Sequence, residues 1–402
     1  MRSISADVGL PASSGSVSGH PVDPWTVALL VLRAMVLVSV VVGLPDFQSP
    51  LALRYVQIAH TGGIPYRDFP VEYPILDLGI AEAVGSWTPG IARALLAMIA
   101  FAGDLVAFVV IRRTWGSRAS RTYLILGSPL LVFMYRRSDL VSAGLATLGM
   151  ASVWRHRDVR GGSWLAVATL AKVWPAALLP ALYVRRSYSA IISFFALLVG
   201  GSVAWLAVGG VGDVGQVTTF RGATGWELES TVGAVVWAVT GEHRFEQGAN
   251  RTGFVPTWAR LLLLVLLAAG SLAIWAKARR TGDDPCGPPA LAAVALLLGL
   301  SPLFSPQYVI WLLPWGALAT RSGRKWMWLT MVPVMLTAVM VASWFLHLGL
   351  GPGRTQLLLC ARNLSVLVIP VLYIVQRVKP RDPPVRQVPG RTHDQETAVH
   401  VD

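Results

Sequence analysis

The residues best equipped for chemistry are acidic and basic side chains gathered into a few polar stretches of an otherwise apolar chain. The stretch PDFQSPLALRYVQIAHTGGIPYRDFPVEYP, from Pro45 to Pro74, holds Asp46, Arg67, Asp68 and Glu72, the last three packed with Tyr66 and Tyr73 between prolines. Carboxylates of this kind can move protons and guanidiniums can bind anions, and a Pro-stiffened segment so rich in hydrogen-bonding groups is more than a linker needs. Three further places add to the set: Arg136, Arg137 and Asp139 in YRRSDLVSAGL, Lys172 in LAKVWPAALLP, and Arg221, Glu227 and Glu229 beside Trp226 in FRGATGWELES. In SPLFSPQYVIWLLP, from Ser301 to Pro314, two prolines, Gln307 and Tyr308 interrupt an apolar run. Spacing alone allows a plainer reading too: a salt-bridged loop over 220–230 and a tight turn over 301–314.

Composition dictates what must position these residues. Of 402 residues, 54% are hydrophobic and only 14% charged, and the mean hydropathy is +0.57, so charges are too few to coat a soluble globule. Apolar runs of the length that crosses a hydrocarbon core recur from Trp25 almost to the C-terminus, amounting to roughly ten to twelve spans. They lack the alternation of barrel strands, and lipid forces backbone amides to pair within their own segment, so the expectation is an all-α polytopic transmembrane bundle. The net charge of +13 comes in short clusters between the apolar runs, as at Arg112, Arg113, Arg118 and Arg121 or Arg155, Arg157 and Arg160. That is the positive-inside pattern, and no basic face with interleaved aromatics suggests nucleic acid as a partner. Cys286 and Cys360, the only cysteines, suggest neither a disulfide framework nor a metal site, and the acidic residues show no metal-ligand spacing, so no metal or cofactor is expected.

The charge pattern predicts a topology. Residues 1–24 read as a loose cytoplasmic tail, 25–376 as the membrane domain and 377–402 as a basic, disordered cytoplasmic tail. The loops 45–73 and 210–256 then face outward, together with the 136–139 junction, the 305–307 turn and the stretch around His347. Leu51 to His60 reads as a short interfacial helix. Residues 74–111 fit two helices broken at Thr88–Gly90. Residues 163–184 give the wrong parity as one span, and a re-entrant pair of half-helices broken at Trp174 and Pro175 is the favoured solution over placing Arg185 and Arg186 outside. Asp77, Glu82, Arg93 and Asp104 fall inside apolar runs; ionisable groups there cost about 2.5–3.5 kcal/mol each on insertion scales, so they should pair between helices or face water.

GIPYRDFPVEYP, YRRSDLVSAGL, LAKVWPAALLP, the RG…WELES loop and FSPQYVIWLLP, in that order over residues 25–376, together resemble the GT-C-type membrane glycosyltransferases. The resemblance is strongest to the bacterial polyprenol-phosphate-mannose-dependent alpha-1,2-mannosyltransferases. It implies a hexosyltransferase of the bacterial cell membrane, both termini cytoplasmic. Such an enzyme takes a sugar from a polyprenyl-phosphate-linked donor to a glycolipid or glycan acceptor outside the membrane, with inversion and without a cofactor. It further implies an outer-loop carboxylate as general base, with Asp46 ranked ahead of Asp68 and Glu72 also a candidate. Arg67, Arg137, Asp139, Lys172, Arg221, Glu229 and Gln307 would then bind the phosphate and sugar. Relatives carry the acidic residue at the position of Leu51, which is apolar here. A transporter or flippase of lipid-linked sugars is the competing reading, with Lys172, Asp77 and Asp104 as its midplane polar groups.

Overall fold

The computed structural model describes residues 23–43, 49–209, 215–217, 220–346 and 351–376. Asp46, His347 and the two terminal tails lie outside the described residues. The protein is an all-α, multi-pass membrane bundle. Among the described residues six helices are long and apolar enough to cross a bilayer: α1 (Pro24–Val42), α4 (Pro89–Trp115), α10 (Tyr188–Gly209), α12 (Thr257–Thr281), α15 (Lys325–Phe345) and α16 (Gly351–Val375). Shorter helices fill the interior, among them α7 (Asp139–Trp154), α8 (Asp158–Ala171) and α13 (Pro288–Leu300). The outward faces are what lipid demands: Ile192 is 70% exposed and Leu264 60%, whereas α13 is buried over nearly its whole length.

Local chemistry sets the boundaries. Asp23 accepts a hydrogen bond from the Thr26 backbone N–H at 3.0 Å, Pro24 occupies the first turn of α1, and Gly43 at φ 90° ends it. The expected short helix is present as α2 (Pro50–His60). It packs Leu51, Tyr55 and Ile58 into a core shared with α3 (Ile75–Gly85) and the first half of α4. The break between α3 and α4 lies at Ser86–Thr88, two residues before the expected Thr88–Gly90, because Pro89 and Gly90 form the first turn of α4. The apolar run over 122–135 is not one helix. Pro129 cannot donate to the ladder, so α5 (Ser117–Gly127) gives way to a 3₁₀ turn at Ser128–Leu130 and to α6 (Leu131–Met134).

The 163–184 segment is likewise broken, two residues earlier than expected. α8 stops at Ala171, Lys172 is extended (φ −150°, ψ 132°), and a 3₁₀ segment over Trp174–Leu178 leads into α9 (Leu179–Val184). Lys172 thereby caps α8, its N–H bonding the Ala168 carbonyl at 2.9 Å while its extended backbone turns the chain out of the helix. The sequence reading anticipated no strand, yet residues 226–252 form a small antiparallel sheet of order β1-β3-β2, with β1 Trp226–Glu227, β2 Arg244–Glu246 and β3 Ala249–Thr252. Between β1 and β2 lies α11 (Thr231–Thr240).

Two of the intramembrane ionisable groups are pairing devices. Asp104 on α4, 1% exposed, accepts from Arg33 Nε of α1 at 3.0 Å, Tyr123 at 2.6 Å and Tyr135 at 2.8 Å. Asp77 on α3 takes the Lys172 ammonium at 2.6 Å and the Tyr55 hydroxyl at 2.9 Å. Each carboxylate is fully hydrogen-bonded, the condition under which a buried charge is tolerated. The helices behind them touch closely. A Cβ at Gly144 of α7 would stand 2.6 Å from the Gly103 carbonyl of α4, so only glycine permits this crossing.

Candidate functional site

The start of α7, the break after α8, the 220–250 segment and the turn at 305–308 close around a polar chamber of about 400 Å³. Seven residues expected from the sequence line it: Glu72, Arg137, Asp139, Lys172, Arg221, Glu229 and Gln307. Asp68 and Arg67 do not. They stand exposed on the 61–74 loop, where Asp68 turns back to accept the Ile64 N–H at 2.7 Å and the Arg67 guanidinium at 3.0 Å. The hydrogen bonds from Arg67 and the Ile64 amide hold the Asp68 carboxyl below its ordinary range, which makes it a weak base. Leu51 reaches the chamber as an apolar wall.

Each wall is fixed by identifiable bonds. Glu72 is gripped by Arg54, whose Nε and Nη2 lie 3.1 and 2.9 Å from its two oxygens, a forked pair. Arg221 Nε adds a third contact at 3.5 Å. Gln216 ties the two loops: its amide donates to the Tyr66 carbonyl at 2.8 Å and accepts from the Val71 N–H at 3.0 Å. Phe220 and Arg221 both adopt left-handed backbone, φ 51° and 62°, a strain of about 1–3 kcal/mol per residue of the kind that collects at ligand sites. Arg221 is held in return by the Gln216 and Gln247 carbonyls. The β2–β3 hairpin turns through Gln247 and Gly248, both at positive φ, and brings Phe245, Gly248 and Asn250 over the chamber.

Two arginines beside the chamber keep donors without a partner, although Arg251 Nη1 reaches the Gly225 carbonyl at 3.5 Å and its guanidinium lies over the Phe220 ring. Arg137 makes no ion pair among the described residues; its Nε finds no hydrogen-bond partner, and its guanidinium lies 5.0 Å over the Phe133 ring. Arg251, 1% exposed, has Nε and Nη2 without a partner. A buried donor left unmade costs about 1–3 kcal/mol, so these N–H groups point to an acceptor supplied from outside the chain. Asp139, by contrast, accepts from Trp311 Nε1 at 2.7 Å.

Glu229 is placed from behind. Arg362 and Asn363 of α16 both donate to its backbone carbonyl, and the Arg362 guanidinium, 1% exposed, lies 4.1 Å over the Phe304 ring. Ser230 caps α11 through the Gly233 N–H at 3.1 Å. A Cβ at Gly233 would stand 2.0 Å from the Glu227 carbonyl oxygen, so this turn also requires glycine. Burial pushes Glu227 and Glu229 up, and the neighbouring Glu227 charge lifts Glu229 further, to about 7, against the pull of Arg362.

Beside the chamber lies a second, larger space of about 850 Å³, mainly apolar. Leu263, Leu264 and Leu267 of α12 form one side, and Trp174 and Trp311 the other, their rings stacked at 5.3 Å. Tyr308 stacks on Trp311 at 4.2 Å. Glu72, Tyr73, Lys172, Phe220 and Tyr308 line both spaces, and Arg251 lines the apolar one. The arrangement can hold an amphiphile with a long apolar part in the groove, an anion at the shared wall and a polar head in the chamber. Among the described residues no cluster of His, Cys, Asp and Glu could hold a metal ion.

Sequence reasoning missed Arg54, Gln216, Arg251 and Arg362. Arg54 sits at helical spacing in α2, and Arg251 and Arg362 look like ordinary loop and helix charges until burial singles them out. Compared with known proteins, the chain matches no protein-family model, no curated protein and no solved structure.

Proposed function

We propose that this chain is a membrane glycosyltransferase that moves a sugar, mannose on the resemblance, from a polyprenyl-phosphate-linked donor to a glycolipid or glycan acceptor. The reaction takes place on the extracytoplasmic side of a bacterial cell membrane, with both termini cytoplasmic. The observation that carries the reading is the wall shared by a charged chamber and an apolar groove, with Lys172 in it. A lipid-linked sugar phosphate is the ligand whose chemistry changes at such a boundary. Its chain needs apolar burial, its phosphate needs cations at the junction, and its sugar needs hydrogen-bonding groups that water can reach.

The chemistry asks little more of the protein. A hydroxyl of the acceptor attacks the anomeric carbon from the face opposite the phosphate, the sugar–phosphate bond breaks, and the lipid phosphate leaves with the electron pair, its charge rising from one to two. Configuration inverts. Lys172 in the shared wall, with Arg137 on the chamber side and Arg251 on the groove side, would meet the added charge, the electrostatic device on which such a transfer depends. The Arg54–Glu72–Arg221 cluster holds the first loop against the second and keeps Arg221 at the rim.

The transporter reading needs exchangeable polar groups on broken helices. The bonding at Asp77 and Asp104 favours transfer instead, since both oxygens of each carboxylate are already held by partners within the bundle. The test supplies membranes containing the chain with radiolabelled polyprenyl-phosphate-mannose and extracted cell-envelope glycolipids. Label moving into the glycolipid fraction supports transfer. Labelled donor crossing the bilayer chemically unaltered contradicts it and favours transport.

A further inference from the structure

We infer that Glu229 is the general base that takes the proton from the acceptor hydroxyl, a role the sequence had directed to the first loop. The inference rests on the sugar-transfer reading and assigns a catalytic residue to it.

The argument is one of commitment and position. Among the described residues four carboxylates line the chamber: Glu72, Asp139, Glu227 and Glu229. Glu72 is bonded to Arg54 and faces Arg221. Asp139 accepts from Trp311. Glu227 is buried, 5% exposed. Glu229 forms no ion pair and no hydrogen bond with another side chain of the described residues, and of the four it alone is half-buried rather than buried. Its carboxylate meets its own backbone N–H and keeps further lone pairs for a hydroxyl in the chamber, and its main chain is locked by Arg362 and Asn363.

Position separates it from Glu72, which lies on the shared wall, while Asp139 and Glu227, both buried, line the chamber only, as Glu229 does. The residues common to chamber and groove mark where the lipid phosphate must cross, and Glu229 is not one of them. It lines the chamber only, with Phe245, Asn250 and Gln307. Attack opposite the leaving phosphate requires the nucleophile, and the base bound to its proton, on that far side. The step balances: the acceptor O–H bond breaks, its oxygen bonds the anomeric carbon, the phosphate leaves with the electron pair of the old bond, and the proton rests on Glu229 before passing to water. The charged groups facing Glu229 are Glu227 of β1, Arg251 of β3 and Arg362 of α16; across the chamber stand Glu72, Arg137, Asp139, Lys172 and Arg221. A carboxyl lifted to about 7 by burial and by the Glu227 charge beside it is a stronger base than an ordinary glutamate.

The experiment measures donor binding and turnover of the full chain in nanodiscs, with radiolabelled polyprenyl-phosphate-mannose and extracted envelope glycolipids, from pH 5 to 9. The wild-type turnover number should rise with pH along a limb centred near 7, because only the ionised base accepts a proton. Glu229→Gln should lower it by about 10²–10⁴-fold and abolish that limb, with donor affinity within about twofold of wild type. Glu229→Asp, which keeps the carboxylate, should recover part of the rate and bring the limb back; it carries the test if the glutamine variant does not fold. Wild-type turnover or a persisting pH limb in Glu229→Gln, or loss of the limb in Glu229→Asp, overturns the assignment and leaves sugar transfer standing. A wild-type chain that transfers no label overturns sugar transfer, and the assignment with it.

Discussion

Replacing Arg137 by glutamine separates binding from folding. No carboxylate depends on this guanidinium: Asp139 keeps its bond from Trp311, and the main interaction lost within the protein is the stack on Phe133 at 5.0 Å. That stack is worth about 0.5–1 kcal/mol, so Arg137→Gln should unfold almost as wild type does. A charge-assisted bond from Arg137 to a lipid phosphate is worth about 1.5–3 kcal/mol, and its loss should weaken binding of sugar-free polyprenyl phosphate roughly 10- to 150-fold. Lys172→Gln behaves differently, because it strands Asp77, 1% exposed, with Tyr55 as its remaining partner. Breaking one side of a buried pair costs about 3–5 kcal/mol, so this variant should lose thermal stability as well as affinity. The assay is equilibrium binding of radiolabelled polyprenyl phosphate to the chain in nanodiscs, with thermal unfolding on the same samples. Binding by Arg137→Gln within about twofold of wild type would refute the placement of the phosphate, since the uncommitted N–H groups would then have no demonstrated use.

Three further outcomes follow from the same geometry. Asp104→Leu should destabilise the bundle by about 3–5 kcal/mol by stranding Arg33, and the double substitution with Arg33→Met should recover most of the loss, as thermal unfolding would show. Asp68→Asn, which alters an exposed pair worth about 0–1 kcal/mol, should leave transfer within about twofold of wild type in the labelled-donor assay. Leu267→Trp should obstruct the groove. If about two methylenes of a long donor are left unburied, at about 0.8 kcal/mol each, kcat/KM for that donor should fall roughly tenfold, with a short-chain donor much less affected.

The bundle was legible because composition leaves a 402-residue chain no other way to cover its apolar surface. Proline marked the break after α3, and the break at Lys172 was foreseen from parity and the Trp174–Pro175 pair to within two residues. Polar clusters in separate loops pointed to one chamber because lipid exposure excludes such residues from most other places. What stayed hidden depends on which partner a charge finds. Asp68 and Glu72 are equivalent on paper; one caps its own loop and the other meets Arg54, a choice made by the fold of residues 61–74. The hairpin over the chamber had a readable signal in Gln247–Gly248, a two-residue turn needing positive φ, but its strands are too short and polar to show alternation. Arg251 and Arg362 gain meaning from burial, which no local pattern encodes.

The central claim is that one lipid-linked sugar phosphate spans groove and chamber. Electron cryo-microscopy of the full chain in nanodiscs with polyprenyl-phosphate-mannose tests it most directly. The account predicts the lipid chain along Leu263, Leu264 and Leu267, phosphate oxygens about 2.7–2.9 Å from nitrogens of Lys172, Arg137 or Arg251, and the sugar beside Glu229. A donor bound elsewhere on the bundle, with chamber and groove both empty at saturating ligand, would contradict it.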